Sequence, residues 1–157
     1  MENNVSNNMS KKIRKAVRSY LIKDNKVLVI KYTLDSNKDY IDIPGGKIEN
    51  GETPEETSIR EFKEETGIVI KKQEYKGNFI TEYPDRIYDM ETFIVTEFEG
   101  EIQNFEENTT LWIDLNEIDL VEKKLPNFEI IKYLNKDKIN LFITVDENHN
   151  IIEVNEK

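Results

Sequence analysis

Residues 53–67 constrain what this chain can fold into more tightly than any other segment. Thr53-Pro54-Glu55-Glu56 reads as a helix start: Thr53 supplies a capping hydroxyl, Pro54 suits the first turn, and Glu56 closes a capping box. Gly67 reads as the stop, so the helix runs over 54–66. At about 100° per residue, Ile59 and Phe62 point one way, while Glu61, Glu64 and Glu65 fall within an arc of roughly 100° on the opposite side. Arg60 stands four residues before Glu64 and next to Glu61, placed to hold a carboxylate. An acidic helix is ordinarily a solvated face laced with ion pairs. Two features separate this one from that pattern. Its three carboxylates crowd one side with Lys63 turned away, and Pro44-Gly45-Gly46 comes shortly before, where glycines allow close backbone approach to a ligand or metal. Carboxylates joined by a backbone carbonyl are the donors that Mg²⁺ or Mn²⁺ takes.

Composition narrows the chemistry further. The 157 residues suit one domain with a real core. With no cysteine, disulfides, thiol nucleophiles and thiolate zinc sites are excluded. The single histidine, His149, is flanked by turn formers and reads as a solvent-facing turn residue, which excludes chemistry built on several histidines. Catalysis is left to carboxylates, lysine, arginine, tyrosine and hydroxyls, with or without a hard metal. The 22 basic and 32 acidic residues give a net charge of −10, which repels nucleic acid and anionic membranes. Neither DNA nor a membrane is therefore an expected partner. A polyphosphate substrate would need positive charge supplied locally, and that points toward metal. No apolar run approaches the roughly 20 residues that cross a bilayer. The opening MENNVSNNMSKK lacks the apolar core of a signal peptide. The expectation is a cytoplasmic monomer or homodimer with a disordered tail over 1–12.

Residues 14–21 and 26–32 are rich in β-branched and aromatic side chains, and Lys23-Asp24-Asn25 between them predicts a hairpin turn. Tyr40–Ile43 reads as a short strand ending at Pro44-Gly45-Gly46. Strands are expected near 70–82, 87–98 and 109–115, and a short helix opened by Pro126 over 126–134. The end, 136–157, reads as an added hairpin or strand. Strands on both sides of helices predict a single α/β (α+β) domain over 13–135, with no internal repeat.

The helix and its approach resemble the signature of the Nudix hydrolases, G-x5-E-x7-R-E-U-x-E-E-x-G-U with U apolar. Gly46, Glu52, Arg60, Glu61, Phe62, Glu64, Glu65, Gly67 and Ile68 fill every position. PGGKIE, GETPEE, EYPDR at 82–86 and EFEGE at 97–101 extend the likeness toward the MutT-like branch, over roughly 14–134. The resemblance implies a Nudix fold, an α/β/α sandwich around a mixed sheet, and hydrolysis of a nucleoside diphosphate linked to another group with Mg²⁺ or Mn²⁺. By its spacing, Glu106 stands where that branch has a further metal-binding glutamate and Asn127 where it has a base-reading asparagine. The implied metal ligands are Gly45 or Gly46 by a carbonyl, Glu61, Glu64, Glu65 and Glu106. Glu61 or Glu106 would take the proton from water, Arg60 would orient Glu61, and Glu52 would support them.

Tyr83 and Arg86 stand in an inter-strand turn near the expected site as substrate contacts, although an arginine there is often only structural. Asn127 reads either as the base contact or as a helix cap. Trp112 alternates with Leu111 and Ile113 and reads as core before base stacking. Tyr32 lies where relatives of this branch often carry a basic residue. Glu97, Glu99 and Glu101 read as a solvated strand edge. The leading expectation is a metal-dependent pyrophosphohydrolase turning a (deoxy)nucleoside triphosphate, including an oxidised one, into monophosphate and pyrophosphate. The alternatives are an ADP-ribose or nucleotide-sugar pyrophosphatase, to which Pro84 sixteen positions past Ile68 also fits, then an RNA 5′ pyrophosphohydrolase, then a nucleotide-binding regulator.

Overall fold

Alternation along the apolar strands decides how the layers stack. In strand β3 (Lys26–Thr33), Val27 and Val29 face one core cluster and Leu28 faces another, and all three are fully buried. A strand covered on both faces reads as a continuous apolar run, which is what KVLVI is. The same parity separates Tyr20, at the end of β1 (Lys12–Tyr20), from Leu21: adjacent residues enter different clusters. The structure, a computed structural model, describes residues 11–33, 39–105, 107–120 and 125–157.

Two sheets result. The larger is six-stranded and mixed, in the order β10-β9-β6-β7-β1-β5, with β5 at Gly45–Lys47, β6 at Val69–Glu82, β7 at Arg86–Glu99, β9 at Ile139–Val145 and β10 at Ile151–Glu156. Its parallel pairs are β1 with β7 and β6 with β9. The smaller sheet is antiparallel: β2 (Ile22–Lys23), β3, β4 (Asp39–Asp42) and β8 (Asn108–Asp114), with β3 at its centre. The expected hairpin between 14–21 and 26–32 is present only as β2 and β3. The chain changes sheets at Leu21, and the turn is made by Asp24 and Asn25 at φ 54° and 61°, the paired left-handed conformation of a tight hairpin. The class is α+β in one domain, with helices packed on the mixed sheet.

Helix α1 spans Pro54–Thr66, as the capping signals require. Thr53 Oγ1 accepts from the Glu56 amide at 3.1 Å, Glu56 Oε1 accepts from the Thr53 amide at 2.9 Å, and Gly67 closes the helix at φ 82°. The face it buries differs from the simple apolar reading. Ile59 is 40% exposed, and Phe62 packs beside Thr57, Ser58 and Thr66, all fully buried. Small hydroxyls let the helix lie close on β1, and each finds a partner: Ser58 bonds Ser19 at 2.7 Å and Gln73 at 2.6 Å, and Thr66 donates to the Phe62 carbonyl at 2.6 Å. A short helix, α2 (Pro126–Glu129), passes into a 3-10 turn (Ile130–Tyr133), and Phe128 and Ile130 join the cluster of Tyr20 and Val29. Trp112 packs against the Phe62 cluster, in keeping with a core role. Glu97 and Glu99 are exposed and paired with Lys72 and Lys71.

The C-terminal strands form a hairpin whose inner strand, β9, pairs in parallel with β6 from Gly77 to Glu82. Its turn carries His149 at φ 64°, exposed, with Asp146 Oδ1 accepting from the Asn148 and Asn150 amides. Gly77 makes the junction possible: at φ 117°, a Cβ there would lie 2.1 Å from the Ile139 carbonyl oxygen, a backbone atom that cannot step aside. Gly77→Ala is expected to lower the unfolding free energy by about 3 kcal/mol or more, read from urea denaturation, because strain and clash fall on one strand pair. A loss below about 1 kcal/mol would mean that β9 contributes little to the folded state.

Candidate active site

The site is built around one guanidinium. From the outward side of α1, Arg60 donates through Nε to Glu52 Oε2 at 2.6 Å and through Nη2 to Glu52 Oε1 at 2.9 Å, a two-pronged contact. Its Nη1 reaches Glu61 Oε1 at 2.9 Å and Glu64 Oε2 at 3.3 Å, and Nη2 also donates to the Lys47 carbonyl at 3.3 Å. Glu52 further accepts from the Glu49 amide and the Thr57 hydroxyl, and its carboxyl is held down at about 2, first by the Arg60 hydrogen bonds. It is committed to holding Arg60. Glu64 is the exposed member of the set.

Opposite Arg60 runs the glycine segment, which the structure forms into strand β5 antiparallel to β1 rather than an open loop. A Cβ at Gly45 would lie 2.0 Å from the Val17 carbonyl oxygen, and one at Gly46 would lie 2.4 to 2.7 Å from the Glu61 carboxyl atoms. The glycines thus let β5 pair with β1 and let the Glu61 carboxyl rest on the β5 backbone. Burial raises the Glu61 pKa, against the lowering effect of Arg60. Glu65 is buried more deeply. It accepts from the Gly45 amide at 2.8 Å and from the Tyr32 hydroxyl, yet burial still pushes its carboxyl up to about 7.

Two desolvated carboxyls with raised pKa values have a need that a cation satisfies. The donors here are all oxygen, which suits a hard divalent ion such as Mg²⁺ or Mn²⁺ and not a soft one. The residues present therefore fit such an ion through Glu61, Glu64, Glu65 and a Gly45 or Gly46 carbonyl. The described residues do not, however, converge into a ready group of three acidic ligands. Arg60 draws Glu61 and Glu64 to itself, while Glu65 turns to Tyr32 and Gly45. Glu106 lies outside the described residues.

A second wall adjoins Glu65. Arg18, on β1, donates to the Ile43 carbonyl at 3.0 Å and faces Asp42 at 3.8 Å, and its Nε is buried without an acceptor. Asp42 accepts from the Asn127 side-chain amide at 2.8 Å. Asn127 is buried and is not the helix cap: Leu125 holds that position without a side-chain bond. Its backbone carbonyl accepts from the buried Tyr20 hydroxyl at 2.6 Å. Tyr32 stacks on Tyr40, with ring centroids 5.1 Å apart. Arg86 lies over the Tyr83 ring at 4.3 Å and near Tyr88 at 5.6 Å, with Asp85 as its ion-pair partner. Sequence reasoning missed Arg18 and Asp42. The signal was there: each is a charged residue at a position where a strand turns into an apolar cluster.

The chain is similar to several known proteins. The NUDIX domain family model matches residues 12–134. An 8-oxo-dGTP diphosphatase of Haemophilus influenzae is 32% identical over 112 residues, covering 71% of this chain and 75% of that protein. An ADP-ribose pyrophosphatase of Methanocaldococcus jannaschii is 44% identical over a shorter 71 residues, 45% of this chain and 41% of that protein. Among solved structures, a MutT protein from Bacillus halodurans superposes with a TM-score of 0.74 at 25% identity, over 90% of this chain and 96% of that one.

The Glu65 carboxyl gives a signed test. Its folded pKa of about 7 exceeds the ordinary 4.5, so its stabilising protonation is fully present below about 4.5 and is lost as pH rises through 7. Without divalent cation, Glu65→Gln is expected to melt several degrees above wild type at pH 8 and together with it at pH 4.5. A variant that melts lower than wild type at pH 8 would show that the buried carboxylate is adequately compensated.

Proposed function

The chain belongs to the NUDIX domain family and is a pyrophosphohydrolase, and from that premise we propose that it hydrolyses a (deoxy)nucleoside triphosphate to monophosphate and pyrophosphate with a divalent cation. The observation that carries the reading is the Arg60 fork, which gathers Glu52, Glu61 and Glu64 beside the Gly46 backbone. The name of the Haemophilus influenzae relative supports an oxidised purine nucleotide within this class.

A pyrophosphate bridge is shielded by its own negative charge, and a protein of net charge −10 deepens that repulsion. A divalent ion at Glu61, Glu64, Glu65 and a Gly45 or Gly46 carbonyl, with Glu106 as a further candidate, would neutralise the phosphates and acidify water. The chain's own residues supply the rest. Arg60 fixes Glu61 in direction, and Glu52 fixes Arg60. Glu61, with its pKa raised by burial, is suited to accept the proton of the attacking water as it adds to phosphorus. Tyr32 holds Glu65 in place, and each Glu65 oxygen keeps a lone pair with which to act as a ligand. Asp42 takes one hydrogen of the Asn127 amide nitrogen, which leaves the second hydrogen and the carboxamide oxygen for a purine edge. Tyr83 and Arg86 offer a stacked face for the nucleotide. ADP-ribose hydrolysis is the second reading, supported by the identity to the archaeal relative.

Product release from dGTP, 8-oxo-dGTP, dATP and ADP-ribose, with and without Mg²⁺, tests the proposal. Turnover of a triphosphate is expected only with metal. Glu64→Gln is expected to abolish it, and Glu61→Gln to lower kcat by about 10²–10⁴. Retention of more than about a tenth of the turnover at saturating Mg²⁺ would remove either residue from its role. Asn127→Ala is expected to raise KM or erase preference among bases while kcat on a good substrate changes little, since a lost buried pair costs about 1–3 kcal/mol. Unchanged ratios across all four substrates would reduce Asn127 to an anchor for Asp42. A strong preference of the wild type for ADP-ribose would overturn the triphosphate class.

A further inference from the structure

The family model ends at residue 134, and the hairpin of β9 and β10 lies beyond it. The parallel pairing of β6 with β9 runs as far as Glu82 and Thr144, so Tyr83 and the turn at 146–150 leave the sheet at the same end. That turn is tightly tied. The Asp146 amide donates to the Asn150 carbonyl at 2.9 Å, and the Asp146 carbonyl accepts from the His149 amide at 3.0 Å. The Asp146 carboxylate takes the Asn148 and Asn150 amides as well. His149 stands in this fixed backbone at φ 64°, exposed, with its ring edge-on to that of Tyr83 at 5.7 Å between centroids and 71° between planes. Asparagine, aspartate and histidine are the side chains that best tolerate such a conformation, and of these histidine alone carries a ring.

Tyr83 is the hub of what that ring touches. Arg86 lies over its face at 4.3 Å, Tyr88 meets it edge-on at 5.8 Å and 80°, and its amide donates to the Arg86 carbonyl at 2.8 Å. Burial raises the pKa of the Tyr83 hydroxyl, and Arg86, Asp42 and Arg18 are among the charges that reach it, so the ring stands beside the wall that holds Asn127. An aromatic ring turns about its last side-chain bond unless its neighbours engage it, and two rings set steeply across its plane do so here. We propose that His149 is a positioning residue for nucleotide binding: together with Tyr88 it braces the Tyr83 ring, and through that ring it fixes the plane of the Arg86 guanidinium against which the nucleoside stacks. The C-terminal hairpin is thereby part of the substrate site. The inference rests on the reading of Tyr83 and Arg86 as a nucleotide-stacking face and deepens it. Preorganising that face lowers the ordering cost of binding and leaves the acidic helix untouched, so the effect belongs to the nucleoside half of the substrate. In the sequence, DENHN reads as an ordinary turn until β9 docks on β6 and brings His149 to Tyr83.

His149 is the single histidine of the sequence, so its ring resonances in a nuclear magnetic resonance spectrum identify themselves. In the metal-free full chain at fixed pH, nuclear Overhauser contacts between the His149 and Tyr83 rings are expected. Titration with dGTP, 8-oxo-dGTP or ADP-ribose is expected to shift the His149 resonances with at least one of the three, whereas inorganic pyrophosphate, which carries no nucleoside, is expected to leave them in place. No shift with any of the three, or an equal shift with pyrophosphate, overturns the inference. Kinetics with Mg²⁺ supply the second arm. His149→Asn, which keeps the turn's backbone, is expected to melt within about two degrees of wild type. On the nucleotide that wild type hydrolyses best, it is expected to raise KM about fivefold through loss of one aromatic pair, with kcat within about twofold. An unchanged KM, or a rise in KM that comes with a large fall in melting temperature, overturns the positioning role while the hydrolase reading stands. If wild type hydrolyses none of the nucleotides, the proposed function has failed, and the resonance titration alone decides whether the hairpin senses a bound nucleoside.

Discussion

Arg60 commits its donors to three carboxylates and a carbonyl, and the geometry around it follows from that commitment. Glu52, in the loop before α1, is fastened by two bonds, which ties the loop to the helix it precedes. Glu61 and Glu64 share Nη1, so two like charges on one helical face are held near each other instead of splaying into solvent. The bond to the Lys47 carbonyl draws β5 toward the helix. An exposed ion pair is ordinarily worth little. Here one rigid fork serves several acceptors at once, and its contribution is geometric: it sets where negative charge stands relative to the Gly46 backbone.

Behind that surface the protein buries groups that resist burial. Glu65 accepts two hydrogen bonds and still has its pKa raised, so desolvation outweighs the hydrogen bonds that oppose it. Arg18 stays charged because Asp42 and Glu65 face it, although burial acts against it. Tyr32, Glu65, Arg18, Asp42 and Asn127 thus form one electrostatic line from the acidic helix to α2, within a core otherwise filled by residues such as Tyr20, Val29 and Phe128. Polar networks of this kind are stable only when nearly every member is satisfied, and the unpaired Arg18 Nε is the exception.

The helix boundaries at 54 and 66, the acidic face and its Arg60 partner were legible in the sequence, because caps, proline and i,i+4 neighbours act within a few residues. The long strands over 69–82 and 86–99 were legible to within a residue for the same reason: alternation and the Tyr83-Pro84-Asp85 turn are local signals. Tertiary structure alone decided which of those elements meet. That Gly45–Lys47 would form a strand depends on Val17 lying opposite, and that Ile59 would face solvent while Ser58 is buried depends on how closely the helix must lie on Ser19. The Asn127 bond to Asp42 joins residues 85 positions apart. Local rules set each element's shape and the charges it carries. Pairing between distant strands brings those charges together, and burial then sets their pKa values, which the order of residues along the chain does not encode one position at a time.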